Sequence, residues 1–546
     1  MISYILLIII SILPFFKIFS INFVDGHDFL LHFHRIYALE NMIRHGIFLP
    51  RWLPDAVYGY GSPIFTFIWG VPYYLGVLLH MLGLSYEWVF RILLILPSIL
   101  SGIGFYLWTR PKCGKWAAVI GAIVYIWTPY RFLDSFIRNA LGELFFFAFF
   151  PFVLYFLDKA HSKKMIVLGV FVTALLIYSH QGLLLVGFPI LIGYILLSLR
   201  ENKKKKILYN QLFILTGGLL LTFFYWFPAV IYQNIISIGN INITSSKFPP
   251  LLSLIRSKWE GGSIYDGRRL IMSFQIGLAN LGILLLAHIL ALYSFIKKRG
   301  KTTYLFFWLM AFWLSIFFMQ PISKWFWNNI PFIANLQFPF RLLFIPMFVS
   351  SVLASLILSR ISKYKRYLLG ILFILGVIIG NRNHLGVLNK EIDLKEFISY
   401  SGTYDVGGET LPKYVSLKNI DKNLAEFTII SGKGIINSQQ RQDYESTASV
   451  TVENDGQLLI KRIYFPGWQV TINGKKTENF EKTTGIILDL PEGKSEIKVE
   501  YHEPILITLA NLISMLTLII FLTQLISGYL SRLKLLAPKK AFFLLF

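Results

Sequence analysis

The chain has a single cysteine, Cys113, in 546 residues, which excludes an internal disulfide and any cluster of cysteine metal ligands. Charge is also scarce, at 15% of residues against about 25% in soluble domains. Acids are scarcer than bases, 29 against 52, giving a net charge of +23. In a soluble chain that imbalance would suggest nucleic acid. Here 55% of residues are hydrophobic, and the bases gather in short loops between apolar runs: Lys163-Lys164, Lys203 to Lys206, Lys297-Lys298-Arg299 and Arg360 to Arg366. This is the positive-inside pattern of a multi-pass membrane protein, and it sets nucleic acid aside. The first twenty residues lack a following small-residue cleavage site and read as a retained span rather than a removed signal. No internal repeat and no low-complexity tract is present.

Thirteen apolar runs approach or exceed spanning length, near 2–20, 64–84, 88–108, 116–130, 144–157, 165–179, 182–199, 207–231, 275–296, 303–319, 341–359, 366–380 and 505–527. Residues 382–503 differ: charge rises, Ser446 to Glu453 and Glu496 to Tyr501 alternate, and Asn473-Gly474 and Asn454-Asp455-Gly456 mark turns. The expected organisation is a multi-span module over 1–381 with an outer loop at 21–62, a β-rich sandwich-like extracytoplasmic domain over 382–503, a final transmembrane helix over 504–528, and a cytoplasmic tail over 529–546 with Arg532, Lys534, Lys539 and Lys540. Counting sides back from that tail puts loop 25–62 inside, whereas a cytoplasmic N-terminus puts it outside. One early run must therefore fail to cross. Pro63, Gly70, Pro72 and Gly76 mark 64–84 as broken or re-entrant. The expectation is 11–13 transmembrane helices.

The densest chemistry follows the first span: Asp25-Gly26-His27-Asp28-Phe29-Leu30-Leu31-His32-Phe33-His34-Arg35. Two carboxylates, three imidazoles and a guanidinium fall within roughly three helical turns. If helical, Asp28 and His32 share a face, with Arg35 further along it. Titratable groups beside a bilayer are costly and tend to mark function. The bland alternative is that Asp25 and Asp28 cap a juxtamembrane helix. Asp28 and His32 are acceptable ligands for a divalent ion, but one such pair does not make a site, and metal dependence stays open.

Further motifs are Gly46…Pro50-Arg51-Trp52, Gly59-Tyr60-Gly61-Ser62-Pro63, Pro129-Tyr130-Arg131…Arg138-Asn139-Ala140-Leu141-Gly142-Glu143, Leu336-Gln337-Phe338-Pro339-Phe340-Arg341 and Tyr464-Phe465-Pro466-Gly467-Trp468. With Gly26-His27-Asp28…His32…Arg35, these motifs in this order resemble bacterial integral membrane proteins of the "6-pyruvoyl-tetrahydropterin synthase-related" group, akin to the YfhO-like branch of GT-C glycosyltransferases. The resemblance spans nearly the whole chain. It implies a GT-C fold, a catalytic acid in the first outer loop, and a sugar donor carried on polyprenyl phosphate. Phe340 stands where relatives often carry Trp, and Asn139 where Gly is common.

On that resemblance Asp28 is the expected base, with Asp25 second and His27, His32, Arg35 and Glu143 in support. Arg341, Arg138 and Arg51 are the expected donor-phosphate contacts, since guanidinium meets phosphate in bidentate fashion. Each has an alternative: an ion pair between Arg138 and Glu143, a snorkelling Arg341, and an interfacial anchor beside a belt Trp52. Lys258-Trp259-Glu260 and Asp266-Gly267-Arg268-Arg269 read as a solvated loop, His180 as part of a polar hairpin turn, and Trp468 as core rather than a sugar platform. The expected function is transfer of a sugar from a polyprenyl-phosphate donor to an extracytoplasmic envelope glycan, polymer or lipid at the plasma membrane. The rival classes are a lipid-linked glycan transporter and a non-catalytic scaffold.

Overall fold

A computed structural model describes residues 1–202, 204–237, 247–257, 272–297, 303–330, 332–393, 400–405 and 407–536. The 258–260 and 266–269 motifs and the Lys539-Lys540 end of the tail lie outside these residues. Among the described residues eight helices are long and apolar enough to cross a bilayer, and three bent pairs bring the number to as many as 11. The bends have local causes. Pro129 and Pro321 restart helices after breaks of 45° and 83°. At the 68° break, Thr222 turns its hydroxyl onto Gly218 O (2.9 Å).

Lys163–Ile177 is a further, shorter segment of 15 residues. Before it, Asp158 pairs with Lys112; after it, His180 lies 3.9 Å from Glu143. It therefore connects the same two ends of the bundle as its neighbours. The run 64–84 does not. It divides into Ile64–Phe67 and Val71–Met81, the latter an apolar helix shorter than a span. The break at Gly70 abuts Tyr178, where an added Cβ would fall 2.1 Å from the phenol oxygen. The 21–62 segment consequently lies at the same end as the C-terminal sheets.

The interior is one large apolar core with aromatic contacts such as Phe105 on Phe348 (5.7 Å) and Trp108 on Phe348 (5.5 Å). At the other end two sheets form a sandwich. Strands are numbered along the chain: β1 Phe23–Val24, β2 Asn389–Lys390, β3 Phe427–Ser431, β4 Gly434–Arg441, β5 Glu445–Val452, β6 Gly456–Ile460, β7 Trp468–Ile472, β8 Lys475–Thr477, β9 Phe480–Lys482, β10 Ile486–Leu490 and β11 Gly493–Tyr501. One sheet runs β3-β6-β10-β9 and the other β4-β5-β11-β7-β8. The alternating stretches pair antiparallel, from Gly493↔Val452 to Glu500↔Glu445. Asn473-Gly474, both at positive φ, makes the two-residue β7–β8 turn.

The sandwich is narrower than the expected 382–503. β2 pairs instead with β1 in the first outer segment, and residues 400–405 lie along the outer loop, with Val57 N donating to Gly402 O (2.9 Å). The outer loop in turn shares the sandwich core. Trp52 is fully buried 5.4 Å from Trp468, not at a membrane belt as the sequence suggested. Gly61, at φ 84°, makes room for it: a Cβ there would fall 2.4 Å from the indole. Trp468 is buried as well, under the Arg462 guanidinium.

A candidate active site between the helical bundle and the sandwich

Asp28 is held by backbone. His27 N donates to Ile137 O and Asp28 N to Arg138 O, each at 2.9 Å, so the outer segment is laid on the end of the π-helix Leu133–Arg138. Gly26 permits this approach, since a Cβ there would fall 2.4 Å from the Asn139 side chain. Asp28 occupies the N-cap position of helix Phe29–Arg44, yet its side chain makes no capping hydrogen bond. Among the described residues its half-buried carboxylate has no protein partner. The capping alternative is therefore not what this side chain does.

A buried charge network stands beside it. Glu143 is 1% exposed and accepts from Arg138 Nη2 (2.8 Å), Arg341 Nε (2.9 Å) and Tyr130 Oη (2.6 Å). Arg138 also pairs with Asp134 (2.5 Å). Burial of so many charges is tolerable only because each is paired and hydrogen-bonded. Glu143 is accordingly occupied in setting two arginines. Arg341 further donates through Nη1 to Leu336 O and Gln337 Oε1, both at 2.7 Å, and keeps Nη2 without a partner among the described residues. Arg35 donates through Nε to Tyr404 O (2.7 Å) and through Nη1 to Tyr73 Oη (2.9 Å), and likewise keeps Nη2.

Two histidines complete the wall. His32 Nδ1 shares the Tyr73 hydroxyl (2.9 Å), and burial, with Arg35 adding to it, lowers its pKa well below the usual value. His180 Nδ1 accepts Leu183 N–H (3.0 Å) at the start of helix Gln181–Asn202. Burial, then the Arg341 charge, lowers His180 to about 3, so the ring is neutral and presents Nε2–H toward Glu143.

These groups line one cavity of about 300 Å³, at the small end of ligand pockets. Asp28, His27, His32, Arg35, Arg138, Glu143 and Arg341, expected from the sequence, all reach it. So do His180, Gln337, Asp405 and Glu409, of which Asp405 and Glu409 went unnoticed in a region where charge is ordinary. The available signal was Asp405 followed by Gly407-Gly408, the composition of a side-chain-capped turn.

Two expected residues are elsewhere. Asp25 bonds through its amide to Leu388 O (2.9 Å) and is not part of the lining. Arg51 does not reach the cavity as a phosphate contact. It pairs with Glu503 (3.1 Å) and donates to Asn511 Oδ1 and Phe224 O, both at 2.8 Å, fastening the outer loop to the final helix Ile505–Leu536. Among the described residues no group of three or more His, Cys, Asp or Glu side chains is disposed to hold a metal ion.

Residues 70–226 match the family described as dolichyl-phosphate-mannose-protein mannosyltransferase. That segment carries Arg138, Glu143 and His180 and leaves out Asp28, Arg341 and Glu409. An uncharacterised protein of Lactococcus lactis subsp. cremoris (strain MG1363) is 23% identical over 347 residues, covering 59% of this chain and 54% of that protein. The chain thus spans about half the length of the curated relative it matches. Among solved structures, the oligosaccharyltransferase of Archaeoglobus fulgidus, in complex with Zn and sulfate, aligns at 15% identity and a TM-score of 0.43, over 71% of this chain and 54% of that one. The arabinofuranosyltransferase AftD from Mycobacteria aligns at 13% identity and a TM-score of 0.44, over 71% and 27%. Superpositions at this level transfer no residue roles. The family match supports a glycosyltransferase, and the apolar helices a multi-pass membrane protein.

Proposed function

We propose that this chain transfers a sugar from a polyprenyl-phosphate donor to an extracytoplasmic acceptor, with Asp28 as the base. The observation that carries this reading is the convergence, around one cavity, of an unpartnered carboxylate with arginines from three distant segments. The polyprenyl phosphate follows from the motif resemblance and from the dolichyl phosphate in the matched family's description. The YfhO-like affinity rests on the motifs alone.

In the proposed reaction Asp28 accepts the proton of the acceptor hydroxyl as its oxygen attacks the anomeric carbon. The bond from that carbon to the phosphate oxygen breaks, and the electron pair leaves with polyprenyl phosphate. The free Nη2 groups of Arg341 and Arg35 supply donors for the developing charge. Glu143 and Asp134 keep Arg341 and Arg138 fixed before substrate arrives, so little reorganisation is needed at the moment of reaction. Attack opposite the leaving phosphate inverts the anomeric centre.

The extracytoplasmic placement is supported by charge. Lys112, Asp158 and the Arg360–Arg366 loop lie at the end of the bundle opposite the cavity, where the basic loops gather. The test is direct. Purified protein in lipid nanodiscs is given a panel of labelled polyprenyl-phosphate sugars with envelope glycan and lipid acceptors. Release of polyprenyl phosphate matched by labelled product is expected for at least one donor. No turnover of any donor by folded protein would remove the reading.

A further inference from the structure

The segment before the sandwich delivers two further carboxylates, Asp405 and Glu409, to the cavity that Asp28 and Glu143 already line. Asp405, 7% exposed, accepts Gly408 N (3.0 Å) through one oxygen and Thr410 N (2.7 Å) and the Thr410 hydroxyl through the other. Gly407 and Gly408 supply the positive φ values, 68° and 77°, that this tight turn requires. Asp405 is thereby spent on holding the turn. Glu409, the residue the turn projects, lines the cavity and is half-buried.

Glu409 is linked to Arg341 by one side chain. Gln337 Nε2 donates to Glu409 Oε2 (3.3 Å), while Gln337 Oε1 accepts from Arg341 Nη1 (2.7 Å). Only this sense of the amide gives the cation an acceptor and the carboxylate a donor. Gln337 also adopts φ 65°, a backbone conformation that L side chains rarely hold and that persists where surroundings enforce it, often at functional sites. The other oxygen of Glu409 has no protein partner among the described residues. Burial, with the Asp405 charge adding to it, raises the Glu409 carboxyl above its usual range.

We propose that Glu409 is a specificity-determining residue that bonds a hydroxyl of the transferred sugar, set in place by the Asp405 turn and the Gln337 amide. This rests on the glycosyltransferase reading above. Arg341 is that reading's phosphate contact, and one amide separates it from Glu409. The free carboxylate oxygen therefore faces the same cavity as the guanidinium proposed to meet the phosphate, one amide away from it. A half-buried carboxylate is a strong acceptor for a hydroxyl, and a site built to bond a hydroxyl rejects a substrate that lacks it.

The test uses full-length protein in nanodiscs with the best natural donor and its monodeoxy analogues. For wild type, removing one particular hydroxyl is expected to lower kcat/KM by about 10- to 100-fold. Glu409→Ala should show a similar loss with the intact sugar and no further loss when that hydroxyl is removed, since the two changes delete one contact. Glu409→Leu, close in volume and without a polar atom, serves in its place if the alanine variant does not fold. A variant that keeps the wild-type deoxy pattern overturns the proposal. So does a uniform fall in kcat for every donor with the pattern unchanged, which would assign Glu409 to the chemical step. Wild type inactive on every donor would instead refute the glycosyltransferase reading itself.

Discussion

At the scale of single residues, the site is a set of charges whose partners decide their roles. Glu143 separates two buried guanidiniums, and Glu143→Gln would leave Arg138 and Arg341 short of a counter-charge. Breaking a buried pair in this way costs on the order of 3 kcal/mol. The expected outcome is a lower unfolding temperature together with loss of transfer, read by a thermal melt and the nanodisc assay. An unchanged melting curve would mean that the Glu143 network carries no stability. Asp28, Arg138 and Arg341 were legible in the sequence because a charge at the end of an apolar run is conspicuous. Arg51 was equally conspicuous, but its partners Glu503 and Asn511 lie more than 400 residues downstream, and nothing local marks such a pairing. Glu409 was hidden for the opposite reason, since its neighbours are as polar as it is.

At the scale of elements, the position of Asp28 depends on contact between two backbones. Gly26→Ala would drive a methyl into Asn139, which itself sits in left-handed conformation at φ 54°. The contact moves the 25–28 segment off the 133–138 helix and with it the carboxylate, and misplacement by about 1 Å can cost 10²-fold in rate. The expected result is transfer reduced about 100-fold with Gly26→Ala and substantially recovered when Asn139→Gly is added. No recovery in the double variant would place the damage elsewhere. The glycine was visible in the sequence. Its reason was not, because Asn139 is brought to it only by folding. The broken 64–84 run was legible from its own prolines and glycines, whereas the short span Lys163–Ile177 is recognised by what stands at each of its ends.

At the scale of the molecule, the outer loop, residues 400–405 and 407–410 and the sandwich pack as one cap on the helical bundle, with Trp52 and Trp468 in a shared core. The cavity lies beneath that cap. The alternation at 446–453 and 496–501 announced the sheets, but the start at Phe427 was not readable, because the strand-poor polar stretch before it resembles the domain in composition. If the basic loops are cytoplasmic, the cap is outside. Cys113 is buried, so Ser438→Cys on exposed β4 gives a clean reporter. A membrane-impermeant maleimide should label it in intact cells without permeabilisation. Labelling only after permeabilisation would invert the topology.

The central claim is that Asp28 takes the acceptor proton, and it is tested most directly by comparing wild type with Asp28→Asn in the nanodisc transfer assay with one productive donor. The asparagine keeps the shape and cannot serve as the base. The account predicts transfer lowered by about 10²- to 10⁴-fold, the range general-base catalysis contributes, with donor binding and melting temperature close to wild type. Transfer by the folded variant at near wild-type rate would contradict it.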